Sequence, residues 1–184
     1  MRFPAATWSR SLWLTSTFAT LVLGIAAPLA YWGIILSTRV PQIIGVGVVS
    51  LAGALLLGTA LFVVRGYVID GHVLYVQRLM FSTKLPISGL HGIWRDPTAC
   101  KGSVRLYGNA GLFAFTGLYR SDSLGMYQLF GTDLNKSVVL KLAHHVIVIT
   151  PAAPEEFIAQ VRSLFPSVAL ESSRNDGLSA GMSA

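Results

Sequence analysis

Few residues in this chain have the types and spacing that chemistry requires. His144 and His145 are adjacent. Neighbours on a strand point to opposite faces, so an extended pair cannot hold one ion between them; the two fit the turn before a last strand. His72 and His91 have no cysteine or acidic partner at ligand spacing. Cys100 is the single cysteine, which excludes an intramolecular disulfide and a Cys-x-x-Cys metal site. Asp70, Asp96, Asp122 and Asp133 fall at turn compositions, where Asp serves local hydrogen bonding. Glu155 and Glu156 belong to a helix start. No Gly-x-Ser-x-Gly, His-Glu-x-x-His or P-loop pattern occurs. The sequence therefore predicts no catalytic residue, no metal and no cofactor. A polar pocket joining His91, Arg95 and Asp96 would be needed to revive an enzyme.

The basic residues carry a different chemistry. Residues 1–65 hold Arg2, Arg10, Arg39 and Arg65 and no acid, whereas the rest holds all eight acids against ten Lys and Arg. The soluble part is close to neutral, without the concentrated basic face that nucleic acid requires. Arg65, Arg78 and Lys84 lie just beyond an apolar segment, where they are expected to face anionic headgroups at about 1 kcal/mol each. The glycines Gly71, Gly108, Gly111, Gly117 and Gly125, with Asp70 and Asn109, are expected to make turns and barrel corners rather than a ligand loop.

Two apolar stretches must position these groups. Residues 42–64 carry no charge and are long enough to cross a bilayer, whose hydrocarbon core of roughly 30 Å needs about 20 helical residues. Residues 12–36 form an earlier uncharged run, with Trp8, Trp13, Tyr31 and Trp32 towards its ends as an aromatic belt. The rival reading of the first run is a cleaved signal peptide, with small residues at Gly24-Ile25-Ala26; the length of the run weighs against it. Residues 37–41 make a tight turn, so the two stretches read as a transmembrane hairpin. Arg2, Arg10, Arg65, Arg78 and Lys84 flank one side and Arg39 alone the other, which places both termini in the cytoplasm. Ser50, Ala54 and Gly58 recur every fourth residue, a ridge on which another helix can pack closely.

After Arg65 the pattern becomes alternating. Asp70-Gly71 links two extended segments, a strong hairpin signal. Further short strands follow, with turns at Gly108-Asn109-Ala110-Gly111, at residues 120–123 and at residues 133–136. From Pro154 an amphipathic helix places Phe157, Ile158, Val161, Leu164 and Phe165 on one face. Residues 167–184, rich in Ser, Gly and Ala, read as a disordered tail. The expected organisation is a cytoplasmic N-terminus (1–11), two spans (12–36 and 42–64), a soluble domain (66–166) and the tail.

Residues 66–166 resemble the pleckstrin-homology (PH)-like domains of bacterial membrane proteins. The resemblance rests on Gly66-Tyr67-Val68-Ile69-Asp70-Gly71, Gly108-Asn109-Ala110-Gly111-Leu112-Phe113, Gly117-Leu118-Tyr119, Gly125-Met126-Tyr127 and the closing Thr150-Pro151-x-x-Pro154-Glu155-x-Phe157. It implies an α+β fold: about seven antiparallel strands in a bent barrel, with one C-terminal helix covering an end. Phosphoinositide-binding PH domains use a long basic loop between their first two strands. Here that link is Asp70-Gly71, so no specific phosphoinositide site is expected. The resulting expectation is a non-enzymatic module held in the cell membrane by two spans, contacting the lipid bilayer and binding a protein partner or itself as a homo-oligomer. The alternative is a domain that binds membrane lipid or a small ligand.

Overall fold

The computed structural model describes residues 1–26, 28–29, 31–33 and 42–168. Its first sheet contains β1 (Arg2–Pro4), β2 (Gly66–Asp70), β3 (Val73–Gln77) and β4 (Ser82–Pro86), in that spatial order. The second contains β5 (Leu90–Arg95), β6 (Val104–Leu112), β7 (Ala114–Ser121), β8 (Gly125–Gly131), β9 (Val138–Leu142) and β10 (Val146–Ile149), ordered β5-β9-β10-β8-β7-β6. The helices are α1 (Arg10–Leu21), α2 (Gln42–Ala60) and α3 (Pro154–Leu164).

Alternation explains the first sheet. Tyr67 and Ile69 of β2 and Leu74 and Val76 of β3 are buried, and Asp70-Gly71 reverses the chain with Gly71 at φ 55°. The second sheet supplies Ile93, Val138, Leu140, Ile147 and Ile149 to the same core. α3 starts at Pro154 with Glu155 and Glu156 in its first turn, and buries Phe157, Ile158 and Val161 in that core. Each such side chain contributes about 1.5–3 kcal/mol by leaving water. A smaller cluster, including Tyr119, Tyr127, Leu129, Val139 and Val148, packs on the other face of the second sheet.

The structure corrects several expectations. The described residues hold ten strands rather than about seven, in two sheets. They are not all antiparallel: β10 runs parallel to β8, from Val146 beside Tyr127 to Ile149 beside Phe130. The β9–β10 hairpin inserts between β5 and β8, a pairing with no local sequence signal. The segment Gly108–Gly111 is not a turn. β6 continues to Leu112, and the chain reverses at Phe113, which has φ 63°.

Residues 1–9 belong to the domain rather than merely preceding it. β1 pairs antiparallel with β2, Phe3 facing Tyr67. The Ala6 amide donates to the Thr150 carbonyl at 2.9 Å, and the buried Thr132 hydroxyl donates to the Ala6 carbonyl at 2.6 Å. The Phe3 ring meets Phe157 edge-on at 5.0 Å. From Ser9, which caps it, the chain enters α1, whose Leu12 and Ser16 are buried. The Ser16 hydroxyl accepts from the Phe113 amide at the tip of the β6–β7 hairpin, 2.9 Å away.

Among the described residues one helix is long and apolar enough to cross a membrane: Ile43–Ala60, 18 residues within α2. The described part of the expected first span over 12–36 holds no second such helix. α1 carries Ser11, Thr15, Ser16, Thr17 and Thr20 before a π-helical turn at Val22–Ala26. Much of its remainder lies outside the described residues, as do the turn at 37–41 and nearly all of the expected tail, 169–184.

Candidate functional site: an arginine-lined groove at the end of α2

After Ala60 the chain bends at Leu61 and Phe62 and reaches Arg65, directly before β2. β3 ends at Gln77, and Arg78 follows, at the start of the β3–β4 turn. The Arg78 amide donates to the Phe81 carbonyl at 2.9 Å, which closes that turn. β1 begins with Arg2 on the far side of β2. Pairing of Gly66 with both Pro4 and Gln77 thus brings three chain segments to one end of the sheet.

Arg78 is the centre of this end. It is only 8% exposed. Its Nη1 donates to the Phe62 carbonyl at 2.9 Å and its Nε to the Thr83 hydroxyl at 3.1 Å. The rings of Phe62, Phe81 and Phe130 have their centroids 5.2, 5.4 and 5.6 Å from its guanidinium carbon. Cation–π attraction and the carbonyl just beyond the end of α2 offset part of the desolvation. Burial still lowers its pKa, opposed by the charge interaction with Tyr67.

Two hollows open on either side of Arg78. One, of about 430 Å³, lies between Thr59 in the last turn of α2 with Phe62 just after it, and Tyr107, Gly108, Gly117 and Phe130 of the second sheet. It is mostly apolar. The other, of about 420 Å³, is lined by Arg2, Arg65 and Arg78 with Leu79, Met80 and Phe81 of the β3–β4 turn. Leu79, Met80 and Phe81 are 49%, 79% and 42% exposed, an apolar tip beside the arginines. Lys84 stands apart on β4, exposed, with its ammonium 5.9 Å from the Tyr75 ring centroid. The structure thus brings Arg65 and Arg78 together, leaves Lys84 out, and adds Arg2. Charge bias placed Arg2 on the same side as Arg65 and Arg78, but its place in the hollow depends on the non-local pairing of β1 with β2.

The glycines divide by position. Gly71 and Gly125 sit at hairpin turns with φ 55° and 67°. Gly108 and Gly117 face each other in the middle of β6 and β7. Gly111 lies near the end of β6. Asn109 shapes the tip: its side-chain amide bonds the Leu112 carbonyl, and its Oδ1 accepts from the Leu112 amide at 3.2 Å.

Groups considered for catalysis are dispersed. His144 and His145 are exposed in the β9–β10 turn, and His91 is exposed on β5. Arg95 pairs with Glu155 at 2.5 Å, while the Asp96 carboxylate accepts from the Thr98 amide and hydroxyl at 2.8 and 2.7 Å. Burial pushes the Cys100 thiol up, away from a nucleophilic thiolate. No three His, Cys, Asp or Glu side chains group together among the described residues.

A four-stranded sheet facing a second sheet, with a C-terminal helix sealing the core between them, defines a PH-like domain. Residues 65–165 match the bacterial PH domain family, and the chain belongs to that family. No curated protein and no solved structure matches it.

Proposed function

We propose that this chain is a non-enzymatic, membrane-anchored interaction module. α2 holds the bacterial PH domain against the bilayer, and the outer edge of β6 receives a strand from a protein partner or from a second copy. The observation that carries this reading is β6 itself. It is the terminal strand of its sheet and nine residues long. Along it Val104, Leu106 and Tyr107 are 65%, 50% and 80% exposed. α1 and α2 pack on part of β6, and the Gly108 and Asn109 carbonyls accept hydrogen bonds within the domain; the exposed stretch from Val104 to Tyr107 offers the edge, and its apolar side chains add selective contacts.

Pairing of β1 with β2 supports the membrane arrangement. Residues 2–4 and 66–70 share one sheet, so they lie on one side of the bilayer. A chain that leaves that sheet and returns to it crosses an even number of times. With α2 as one crossing, the run over 12–36 supplies the other. The Lys and Arg bias assigns that side to the cytoplasm. The same pairing favours retention of the first segment, since cleavage near residue 26 would strip β1 from the sheet.

The test is a photocrosslinking residue placed at Leu106 in the full chain in intact cells, with His145 as the control position. A defined protein or self-adduct from Leu106 and none from His145 is expected. Equal adduct patterns at the two positions would remove the β6 edge from consideration.

A further inference from the structure

The groove at the end of α2 gathers Arg2, Arg65 and Arg78 in one hollow with no carboxylate in its lining. Among the described residues none of the three forms an ion pair; the Arg95–Glu155 pair lies elsewhere. Like charges held together repel, and the repulsion grows as water is excluded. Capping of the segment after α2 accounts for Nη1 of Arg78, and the Thr83 hydroxyl accounts for Nε. It does not account for convergence of Arg2 and Arg65, nor for Nη2 of Arg78, which donates to no described residue. Beside these cations Leu79, Met80 and Phe81 project into the surroundings. A cationic hollow next to an exposed apolar tip matches the two layers of a bilayer surface, phosphate above hydrocarbon.

We propose that Arg2, Arg65 and Arg78 bind the phosphate of an anionic phospholipid headgroup, while Leu79, Met80 and Phe81 enter the acyl layer beside it. The site rests on the reading of α2 as a membrane-inserted helix. Its occupant is a lipid of that bilayer because α2 ends at Ala60, five residues before Arg65, so the membrane surface reaches the groove. Planar guanidinium groups suit phosphate oxygens bidentately. The site lies at the opposite end of β2 and β3 from Asp70-Gly71. It therefore does not reuse the loop that phosphoinositide-binding PH domains employ. In this place a headgroup would fix the tilt of the domain over its anchor.

The full-length protein, purified in neutral detergent and delipidated, would be titrated with phosphatidylglycerol or phosphatidylcholine, and bound lipid read by native mass spectrometry. Preference for phosphatidylglycerol is expected. The double variant R2Q/R65Q, at exposed positions that leave the fold intact, should weaken it about thirtyfold, at roughly fivefold per arginine. K84Q should leave it unchanged. Equal binding of the two lipids, or undiminished binding by R2Q/R65Q, would overturn the proposal. Saturable binding of inorganic phosphate that phosphatidylglycerol fails to displace would also overturn it, assigning the groove to the free anion. Alkaline carbonate extraction of membranes distinguishes the two failures. Release of the chain into the supernatant means that α2 is not inserted, and the site falls with it. Retention without lipid preference means that the headgroup site alone is wrong.

Discussion

Gly108 and Gly117 face each other across β6 and β7, and each occupies the space the other's side chain would need. A Cβ on Gly108 would stand 2.3 Å from the Thr116 carbonyl oxygen, and one on Gly117 would stand 2.1 Å from that of Tyr107. Their φ angles, 112° and 146°, are ones that L side chains rarely adopt. The pair bends the hairpin so that its tip can reach α1, where Phe113 meets Ser16 and Trp8.

Replacing either glycine by alanine is therefore expected to cost about 3 kcal/mol, combining strained backbone with a clash against main chain. Gly125→Ala is the contrast. Its φ of 67° is left-handed but no atom stands in the way, so about 1 kcal/mol is expected. Urea unfolding of the full chain in detergent would rank the three variants.

Tyr67 gives the fold an alkaline limit. Its buried hydroxyl donates to the Phe130 carbonyl at 2.7 Å and accepts from the Thr150 amide at 3.1 Å. Burial is the main cause that pushes it from 10.0 up to about 12. Below pH 9 both folded and unfolded chains keep the proton, and stability is independent of this group. Between pH 10 and 12 the unfolded chain loses the proton first, so stability falls as pH rises, by about 3 kcal/mol in all. Tyr67→Phe should cost about 2 kcal/mol at neutral pH, by stranding two buried backbone groups, and should flatten this alkaline loss. The residual slope would come from Cys100, Tyr119 and Tyr127, which burial also raises. Unfolding measured from pH 8 to 11.5 checks both effects.

The N-terminal strand can be loosened without substituting a core side chain. A Cβ on Gly66 would come 2.8 Å from the Phe3 carbonyl oxygen. Gly66→Ala should push β1 off β2, and Thr132→Val should remove the hydroxyl that holds Ala6, each at about 1–2 kcal/mol. Hydrogen exchange should then quicken at the Ala5, Ala6 and Ser9 amides, which bond Arg65, Thr150 and Thr132. Exchange at Ile147 and Val148 should not change. Equal acceleration at both sets would mean that β1 and the core open together.

Charge on the β6 edge should separate association from folding. Leu106→Lys and Tyr107→Lys alter exposed side chains and should change stability by less than about 0.5 kcal/mol. Each should abolish crosslinking through the edge, because lysine on an edge strand opposes strand addition. Unchanged crosslinking would show that partners dock elsewhere.

Sequence made some of this structure legible and hid the rest for physical reasons. Asp70-Gly71 declared its hairpin because the turn's backbone demand is local. Pro154, the two acids and the Phe157–Val161 spacing declared α3 in the same way. Gly108-Asn109-Ala110-Gly111 misled, because composition cannot distinguish a glycine that turns the chain from one that lets another backbone approach. Arg-Phe-Pro at residues 2–4 is too short to declare a strand, and its partner lies beyond α2. The parallel pairing of β8 and β10 was hidden likewise. Arg65 and Arg78 are legible as cations just beyond an apolar stretch. Burial of Arg78 was not visible, since it depends on Phe62, Phe81 and Phe130 converging from separate segments.

Because the ribosome makes β1 before anything it pairs with, this domain cannot finish folding in the order of its synthesis. Met1 bonds a carbonyl 68 residues later, at Ile69, and Ala6 bonds one at Thr150. The contacts of residues 1–9 can form only after β2 and Thr150 have been made. A recombinant fragment begun at residue 66 would expose the bare edge of β2 and invite aggregation. Fusion of a bulky tag before Arg2 would burden the same late closure. Residues 10–65 thus interrupt the domain's own sequence, and cutting them away from what precedes or follows leaves neither part whole.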